Sequence, residues 1–312
     1  MAAFDLQGHR GARGLKPENT FSGFELAFDV GVTTIETDVH LTRDGVVVLS
    51  HDPAISERLC RALPDRAVPP PESRPLINTL SLAQLRGYQA DRNPDPARFP
   101  QQDAGPLPLA VLFAQRQGID PYTVPTVADL FAFAEAYAGE LGVQAGKSAA
   151  QRKQVQRIRF DLELKRVPFH PELIGDNFDG MAPALLEQRV VEAIHAAKAV
   201  GRSQVRSFDH RSVRAVRQLE PRLTAAILIA ETAPVSPSRF TRQADAQVYC
   251  PHFRFLDQAQ VREAHADGVR VVPWTVNDLD DCLRLIDWGV DGVATDYPDR
   301  LAEWLRERGI AF

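Results

Sequence analysis

The sequence predicts an α/β protein, a (β/α)₈ TIM barrel with an insertion after its second strand region. Short apolar segments that are typical of strands alternate with amphipathic segments that are typical of helices, and this alternation indicates parallel strands joined by helical crossovers. Eight strand–helix units can be counted, and 312 residues is an ordinary length for one barrel of this kind. We therefore expect a single domain, residues 1–312, in which residues 54–124 form an insertion or lid.

Local signals place the elements in order. Asn19 or Thr20 can cap the first helix, which ends at Gly31, and the polar stretch 144–154 is taken as a connection. The barrel strands are predicted at 4–8, 32–40, 157–165, 204–208, 223–230, near 248, 269–274 and 292–295, with a further short strand at 46–50. The helices are predicted at 19–30, 126–141, 182–200, 210–219, 257–266, 278–288 and 298–308.

Residues 54–124 differ from the rest of the chain in amino-acid composition and in their lack of a regular apolar pattern. Prolines are dense between Pro64 and Pro108, and regular patterning resumes at Pro125. A segment of this length inside a compact domain is usually functional or a small insertion. We expect it to lie over the barrel mouth as part of a substrate lid.

Composition and charge narrow the class of protein. The net charge is −5 and no Lys/Arg run is present, which argues against nucleic-acid binding. No apolar stretch of about 18 residues occurs, so stable membrane insertion is not expected. The first residues lack signal-peptide features, which favours the cytoplasm, or the periplasm if a leader has been removed. Three distant cysteines argue against a disulfide framework or a thiolate zinc site, and no feature specifies an oligomeric state.

Acidic side chains gather where predicted strands end, which is where the active site of such a barrel lies. Glu36 and Asp38 on strand two are two residues apart and therefore face the same side. Glu163 on strand three can add a third carboxylate. Because adjacent buried carboxylates need a compensating charge, we expect one divalent cation, and oxygen ligands favour Mg²⁺ or Ca²⁺.

Basic and aromatic side chains also lie at the ends of predicted strands. Arg10 and Lys165 are suited to hold a phosphate group. His9 and His51 could flank that phosphate as a general acid and a general base. Trp274, at the end of strand seven, could form a wall of the pocket or simply pack.

Each of these residues also has a structural explanation. A strand-end histidine is often structural, Glu36 and Asp38 could form a solvated strand edge, and Lys165 could pair only with Glu163. The convergence of five or more polar groups at one end of three adjacent strands favours a functional site. Asp161, one layer deeper on strand three, is expected to satisfy an internal hydrogen bond.

Several segments around these residues match the pattern of one known family in order and spacing. They are His9-Arg10-Gly11, Pro17-Glu18-Asn19-Thr20, Glu36-Thr37-Asp38, Leu41-Thr42-Arg43-Asp44-Gly45, Ser50-His51-Asp52-Pro53, Pro125-Thr126, Leu162-Glu163-Leu164-Lys165, Pro273-Trp274-Thr275-Val276-Asn277 and Asp291-Gly292-Val293-Ala294-Thr295-Asp296-Tyr297-Pro298. Through them the sequence resembles the glycerophosphodiester phosphodiesterase family over nearly the whole chain, with a highly specific N-terminal signature.

The resemblance implies a metal-dependent enzyme that hydrolyses glycerophosphodiesters, its small-molecule partners, to glycerol 3-phosphate and an alcohol. The attacking group would be a neighbouring glycerol hydroxyl or water. The resemblance assigns roles to eight residues: the metal ligands Glu36, Asp38 and Glu163, the acid–base pair His9 and His51, the phosphate-binding Arg10 and Lys165, and the supporting Glu18, which would orient Arg10 or His9.

Other functions are compatible with the same residues. A lysophospholipase D, or another phosphodiesterase with the same machinery, would require an apolar groove near the mouth and membrane binding, and no basic amphipathic helix supports it. A catalytically silent barrel would bind glycerophosphodiesters without cleaving them. A different barrel metalloenzyme, such as a sugar-phosphate isomerase, would need a base directed at a carbonyl group.

Overall fold

Eight parallel strands form the wall of a barrel in the computed structural model, which describes residues 3–312. In chain order the strands are β1 (Asp5–Gly8), β2 (Thr34–Leu41), β3 (Val47–Leu49), β4 (Arg61–Ala62), β5 (Tyr88–Gln89), β6 (Arg159–Leu164), β7 (Ser203–Ser207), β8 (Thr224–Ile229), β9 (Val248–Pro251), β10 (Arg270–Val271) and β11 (Gly292–Thr295). The barrel order is β10-β9-β8-β7-β6-β2-β1-β11, and β3 pairs with β2. The predicted fold class is confirmed.

Backbone hydrogen bonds close the barrel between β10 and β11. Asp291 N donates to Val271 O at 2.9 Å, and Ala294 N donates to Pro273 O at 3.1 Å. Because a proline has no N–H to donate, Pro273 limits the ladder on this side. The strand predicted over 269–274 is therefore too long.

Helices follow the strands and surround the barrel. In chain order they are α1 (Phe21–Val30), α2 (Leu82–Leu85), α3 (Pro108–Gln117), α4 (Val127–Ala138), α5 (Glu140–Gln144), α6 (Ala149–Val155), α7 (Leu185–Ala196), α8 (His210–Leu219), α9 (Pro237–Gln243), α10 (Gln258–Ala266), α11 (Leu279–Trp288) and α12 (Pro298–Glu307). Thr20 caps α1, since its Oγ1 accepts a hydrogen bond from Gly23 N at 3.2 Å. Among residues 3–312, no helix is long and apolar enough to cross a bilayer.

Outside the segment 54–124, three helical segments differ from the sequence prediction. The helix α9 is not predicted, and α6 lies in the polar stretch 144–154. Only Val155 of α6 is buried, and a capping box at Ser148 starts the helix, so hydrophobic periodicity does not reveal it. The helix predicted over 126–141 is divided at Gly139, whose extended backbone (φ −92°, ψ −152°) ends α4.

The interior of the barrel has two contrasting sides. An apolar cluster that includes Leu228, Cys250 and Val272 fills the side of β8, β9 and β10. Buried charged and polar residues of β1, β2, β6 and β7 fill the other side. The fold therefore concentrates its charged chemistry on four neighbouring strands.

The segment 54–124 contains a small apolar cluster of its own, built around Tyr88, Cys60 and Ile77. Within it, β4 pairs with β5 as an antiparallel ladder. Its last helix, α3, instead packs in the main core, where the Phe113 ring lies 5.1 Å from the Phe21 ring of α1. Regular structure thus resumes at α3, earlier than the sequence predicts.

Candidate active site

A cavity of about 620 Å³ opens at the carboxyl ends of the barrel strands. One wall comes from residues of the segment 54–124, such as Arg74 and Phe99, and the opposite wall is apolar. Seven of the predicted site residues line the cavity: His9, Arg10, Glu18, His51, Glu163, Lys165 and Trp274. The other two, Glu36 and Asp38, are fully buried behind the lining.

Three buried carboxylates form a compact group at this end of the barrel. The pairing of β2 with β6 sets Asp38 opposite Glu163, and one oxygen each of Glu36, Asp38 and Glu163 lies within 4.8 Å of the others. Asp38 Oδ1 is buried and accepts no hydrogen bond, although buried carboxylate oxygens normally have a partner. An all-oxygen donor set with an unpartnered oxygen fits a hard divalent cation such as Mg²⁺ or Ca²⁺.

Two cations lie against these carboxylates. Arg10 Nε is 3.2 Å from Asp38 Oδ2, and Lys165 Nζ is 2.6 Å from Glu163 Oε1 and 3.6 Å from Asp38 Oδ1. Burial would raise the pKa of Asp38, but Arg10 and Lys165 hold it well below its ordinary value. Burial would lower the pKa of Lys165, but Glu163 and Asp38 raise it. Lys165 and Asp38 are therefore both charged at neutral pH.

Arg10 is fixed by its backbone as well as by its side chain. Its φ of 51° lies in the left-handed region, which is uncommon for a residue other than glycine. In this conformation the Arg10 N–H donates to Glu36 Oε2 at 3.0 Å. Its Nη1 donates to Glu18 Oε1 at 2.9 Å, so Glu18 contacts Arg10, whereas His9 is held by a different carboxylate.

Each of the two histidines is paired with a carboxylate through its Nδ1 atom. His9 Nδ1 lies 2.6 Å from Asp296 Oδ1, and His51 Nδ1 lies 2.8 Å from Asp52 Oδ1. A carboxylate that accepts from Nδ1–H leaves Nε2 of the neutral ring unprotonated. Burial lowers the pKa of His9 to about 3, although Asp296 opposes the shift. His9 is therefore a neutral ring at neutral pH.

Asp296 is a central residue that the sequence analysis missed. It accepts hydrogen bonds from Arg13 Nε at 3.0 Å and from Asn277 Nδ2 at 2.7 Å. Burial would raise the pKa of Asp296, but His9 and Arg13 hold it well below its usual range. Asp296 directly follows β11, so the strand-end rule applied to the other strands could have found it. Arg13 carries no such signal, because its reach depends on the path of the loop after β1.

Arg206 of β7 connects the carboxylate group to a deeper polar layer. Its Nη2 is 2.7 Å from Glu36 Oε1, and its Nη1 is 3.3 Å from Asp161 Oδ2. Asp161 also accepts a hydrogen bond from Gln204 Nε2 at 2.7 Å, as predicted for an internal residue. Burial raises the pKa of Glu36 to about 7 and that of Asp161 to about 6, and Arg206 opposes both shifts. Sequence reasoning missed Arg206, since nothing local distinguishes it from an ordinary strand residue.

The apolar wall of the cavity consists of Phe208, Leu228 and Trp274. The rings of Phe208 and Trp274 meet edge to face at 5.5 Å. Trp274 Nε1 donates to Cys250 O at 2.9 Å, which fixes the indole. Trp274 therefore both packs and lines the cavity.

Comparison with known proteins identifies one family. Residues 9–300 match the model of the glycerophosphoryl diester phosphodiesterase family. A glycerophosphodiester phosphodiesterase of Caldanaerobacter subterraneus is 24% identical over 310 residues, which cover 96% of this chain and 97% of that protein. A glycerophosphodiester phosphodiesterase of Bacillus subtilis is 26% identical over 301 residues, which cover 93% of this chain and 83% of that protein.

Solved structures share the fold over almost the whole chain. A Silicibacter pomeroyi protein, provisionally named a glycerophosphoryl diester phosphodiesterase, superposes with a TM-score of 0.77 at 25% identity, covering 100% of this chain and 96% of that chain. An Oleispira antarctica phosphodiesterase, solved in complex with the product sn-glycerol-3-phosphate, has a TM-score of 0.66 at 21% identity and 97% coverage of each chain.

Proposed function

This chain belongs to the glycerophosphoryl diester phosphodiesterase family and is a phosphodiesterase, and we propose that it hydrolyses glycerophosphodiesters to glycerol 3-phosphate and an alcohol with one divalent cation. One observation carries the proposal: three buried carboxylates, two carboxylate-paired histidines and two cations are grouped at the strand ends, in one cavity or directly behind its lining. The product bound in the Oleispira antarctica structure supports glycerol 3-phosphate as the product here.

The cation would be held by Glu36, Asp38 and Glu163. Their oxygens lie within 4.8 Å of one another, and Asp38 Oδ1, which accepts no hydrogen bond, has a lone pair to offer to a cation. When bound, a divalent cation would supply positive charge that polarises the phosphate group. The backbone N–H of Arg10 and the guanidinium of Arg206 hold the two oxygens of Glu36, so this ligand is oriented before substrate arrives.

His9 and His51 would move the protons of the reaction. Both rings are oriented through Nδ1 by a carboxylate, which leaves each Nε2 for the substrate. His9, buried and neutral, is suited to accept the proton of the attacking hydroxyl or water. The His51 side chain is 35% exposed. In its imidazolium form, with Nδ1–H still donated to Asp52, it would carry a second proton on Nε2 and donate that proton to the departing alcohol, which must leave through the mouth.

Arg10 and Lys165 would bind the phosphate. Both side chains reach the cavity while they stay paired with Glu18, Asp38 and Glu163. Charge-assisted hydrogen bonds from a guanidinium and an ammonium stabilise the charge that develops on the phosphate oxygens. The carboxylate partners hold these cations in place, so little reorganisation is needed when the substrate binds.

The proposal is tested with protein that has been stripped of metal with EDTA. We expect release of glycerol 3-phosphate from glycerophosphocholine only after Mg²⁺, Ca²⁺ or Mn²⁺ is added back. The same cation should raise the thermal unfolding midpoint, because a ligand bound only by the native state stabilises it.

Two variants sharpen this test. Glu163→Gln should remove both the activity and the thermal shift, whereas Glu192→Gln, on the exposed surface of α7, should change neither. Folded protein that shows the thermal shift but releases no product with any metal would support the silent binding barrel instead. Full activity in the presence of EDTA would contradict the metal requirement.

A further inference from the structure

One arginine, Arg13, connects two carboxylates at the mouth of the barrel. It lines the cavity, and its side chain is only 8% exposed. Its Nε and Nη2 donate to the two oxygens of Asp296 at 3.0 and 3.1 Å, and its Nη1 lies 3.6 Å from Glu18 Oε2. A single guanidinium therefore spans a carboxylate of the loop after β1 and a carboxylate that directly follows β11.

Each of these carboxylates holds a residue of the proposed reaction. Asp296 Oδ1 lies 2.6 Å from His9 Nδ1, and Glu18 Oε1 accepts a hydrogen bond from Arg10 Nη1 at 2.9 Å. His9 and Arg10 are adjacent in sequence, but different carboxylates orient their side chains. Because Arg13 contacts both carboxylates, a shift of Arg13 would disturb the acid–base residue and the phosphate-binding residue together.

The His9 ring needs such support because it lies between two carboxylates. Its Nδ1 is 2.6 Å from Asp296 Oδ1, and its Nε2 is 3.7 Å from Glu36 Oε2. A neutral imidazole has a single N–H, and either carboxylate can accept it. Arg13 fixes Asp296 with two parallel charge-assisted hydrogen bonds, and this favours the ring form that carries its proton on Nδ1. The Nε2 atom is then free to accept a proton.

The insertion in turn fixes Arg13. Its guanidinium carbon lies 4.8 Å from the centre of the Phe99 ring, and Phe99 is only 2% exposed. A planar guanidinium stacks favourably on an aromatic face. In addition, Gln102 Nε2 donates to the Arg13 carbonyl oxygen at 2.7 Å. An aromatic face and a backbone contact from one short segment therefore set the position of Arg13.

That segment, residues 98–103 of the insertion, is itself anchored to the barrel, and we name it the strap. Asp103 N donates to Leu15 O at 2.9 Å. Tyr297 Oη donates to Arg98 O at 3.1 Å. The strap is therefore fixed both to the loop after β1 and to the residue that caps α12, on the two sides of the carboxylates that Arg13 connects.

We propose that Arg13 is a positioning residue, through which the strap sets the geometry of the acid–base histidine and of the phosphate-binding arginine together. Arg13 transfers no proton itself and acts through Asp296 and Glu18. The roles of His9 and Arg10 in this statement rest on the proposed function, whereas the positioning of their side chains does not.

The central test is Arg13→Lys, which keeps the positive charge but loses the planar fork. An ammonium group cannot span Asp296 and Glu18 in the same way, and it does not stack on the Phe99 ring as a guanidinium does. We expect kcat for glycerophosphocholine to fall by about tenfold to a hundredfold and KM to rise, with the metal-induced thermal shift retained as evidence of folding. An unchanged kcat would overturn the proposal, because positive charge alone would then suffice.

Phe99→Leu tests whether the strap acts through Arg13. The variant keeps an apolar side chain but removes the ring face, and we expect kcat to fall by roughly threefold to tenfold. Combined with Arg13→Lys, it should cause no further decrease, because both changes break one contact. Additive decreases would overturn the link between strap and arginine. The matched control is Phe312→Leu, which removes a ring that lies 5.2 Å from the Arg306 guanidinium at the opposite end of the barrel and should leave kcat unchanged.

The ¹⁵N chemical shifts of the His9 ring give a readout that needs no activity. With Mg²⁺ present, we expect Nε2 of His9 to show the shift of an unprotonated nitrogen, and His9→Gln identifies the signal. In Arg13→Lys the shift should move toward the average of the two ring forms, because Asp296 is held less firmly. An unchanged shift would overturn the positioning role. The expected change, in a protein whose unaltered form hydrolyses no glycerophosphodiester, would support the positioning and contradict the proposed function alone.

Discussion

The two histidines of the site obtain their carboxylate partners in different ways. Asp52 is the next residue after His51, whereas Asp296 reaches His9 across 287 residues of sequence. The first pairing can be read from the sequence, because two adjacent residues at the end of a strand are always close in space. The second requires that β1 and β11 lie side by side, which depends on closure of the barrel.

Asp296→Asn tests the role of that partner. The amide presents an NH₂ group as well as an oxygen, so it no longer selects the ring form in which Nε2 is free. We expect kcat for glycerophosphocholine to fall by about tenfold to a hundredfold, the usual range for such supporting groups, with the metal-induced thermal shift retained. The variant should resemble His9→Ala in this respect. Turnover near that of the unaltered protein would show that Asp296 does not orient His9.

The carboxylates show how far single residues can be predicted. Glu36 and Asp38 are two apart on one strand, so their common direction follows from strand geometry alone. The contact of Arg206 with Glu36 follows from nothing local, because it depends on β7 and β2 both flanking β6.

At the scale of elements, the loop after β6 is the clearest case of structure held by a single buried cluster. Arg166 is paired with Asp176 and Glu187, and all three side chains are almost fully buried. The guanidinium also lies 4.2 Å over the Phe178 ring. The cluster connects the end of β6, next to Lys165, to the start of α7, so it supports the site.

Arg166→Gln should therefore destabilise the protein strongly. Removing one partner leaves two buried carboxylates uncompensated, and such changes cost about 3–5 kcal/mol. We expect a matching decrease in the free energy of unfolding measured in urea. Arg189→Gln is the control, because its pair with Glu192 on α7 is exposed and exposed pairs contribute roughly 0–1 kcal/mol. A decrease as small as that of the control would show that the cluster is not needed for stability.

Elements with an amphipathic pattern were predicted well, and those without one were not. The helix α1, with its cap at Thr20 and its end at Gly31, follows the sequence signals closely. The helices α6 and α9 were missed, since each is short and α6 buries a single residue. Such helices form because of helix propensity and capping, and not because an apolar face packs against the core.

At the scale of the whole molecule, the three cysteines report on the integrity of the packed structure. Cys60 lies in the apolar cluster of the insertion, Cys250 inside the barrel and Cys282 in the main core. All three are free and buried. Burial raises the pKa of each thiol to about 12, so the reactive thiolate is scarce at ordinary pH.

We therefore expect the folded protein to resist a thiol reagent at about pH 8, near the pKa of a free cysteine. The raised pKa leaves the native thiols protonated there, while unfolded thiols ionise. All three should react once the protein is unfolded in urea, and the loss of protection should coincide with loss of activity. Rapid reaction of Cys60 alone in the native protein would instead show that the insertion opens separately from the barrel.

The sequence by itself determined the number and order of the barrel strands and the strand ends at which polar residues gather. Both follow from local periodicity, because the direction of a side chain repeats every two residues in a strand and every 3.6 in a helix. Only the tertiary structure decided which of those residues meet. The contacts of Asp296 with His9 and of Arg206 with Glu36, and the cavity wall from the insertion, all join segments distant in sequence. Their proximity depends on barrel closure and strand order, which no local pattern encodes.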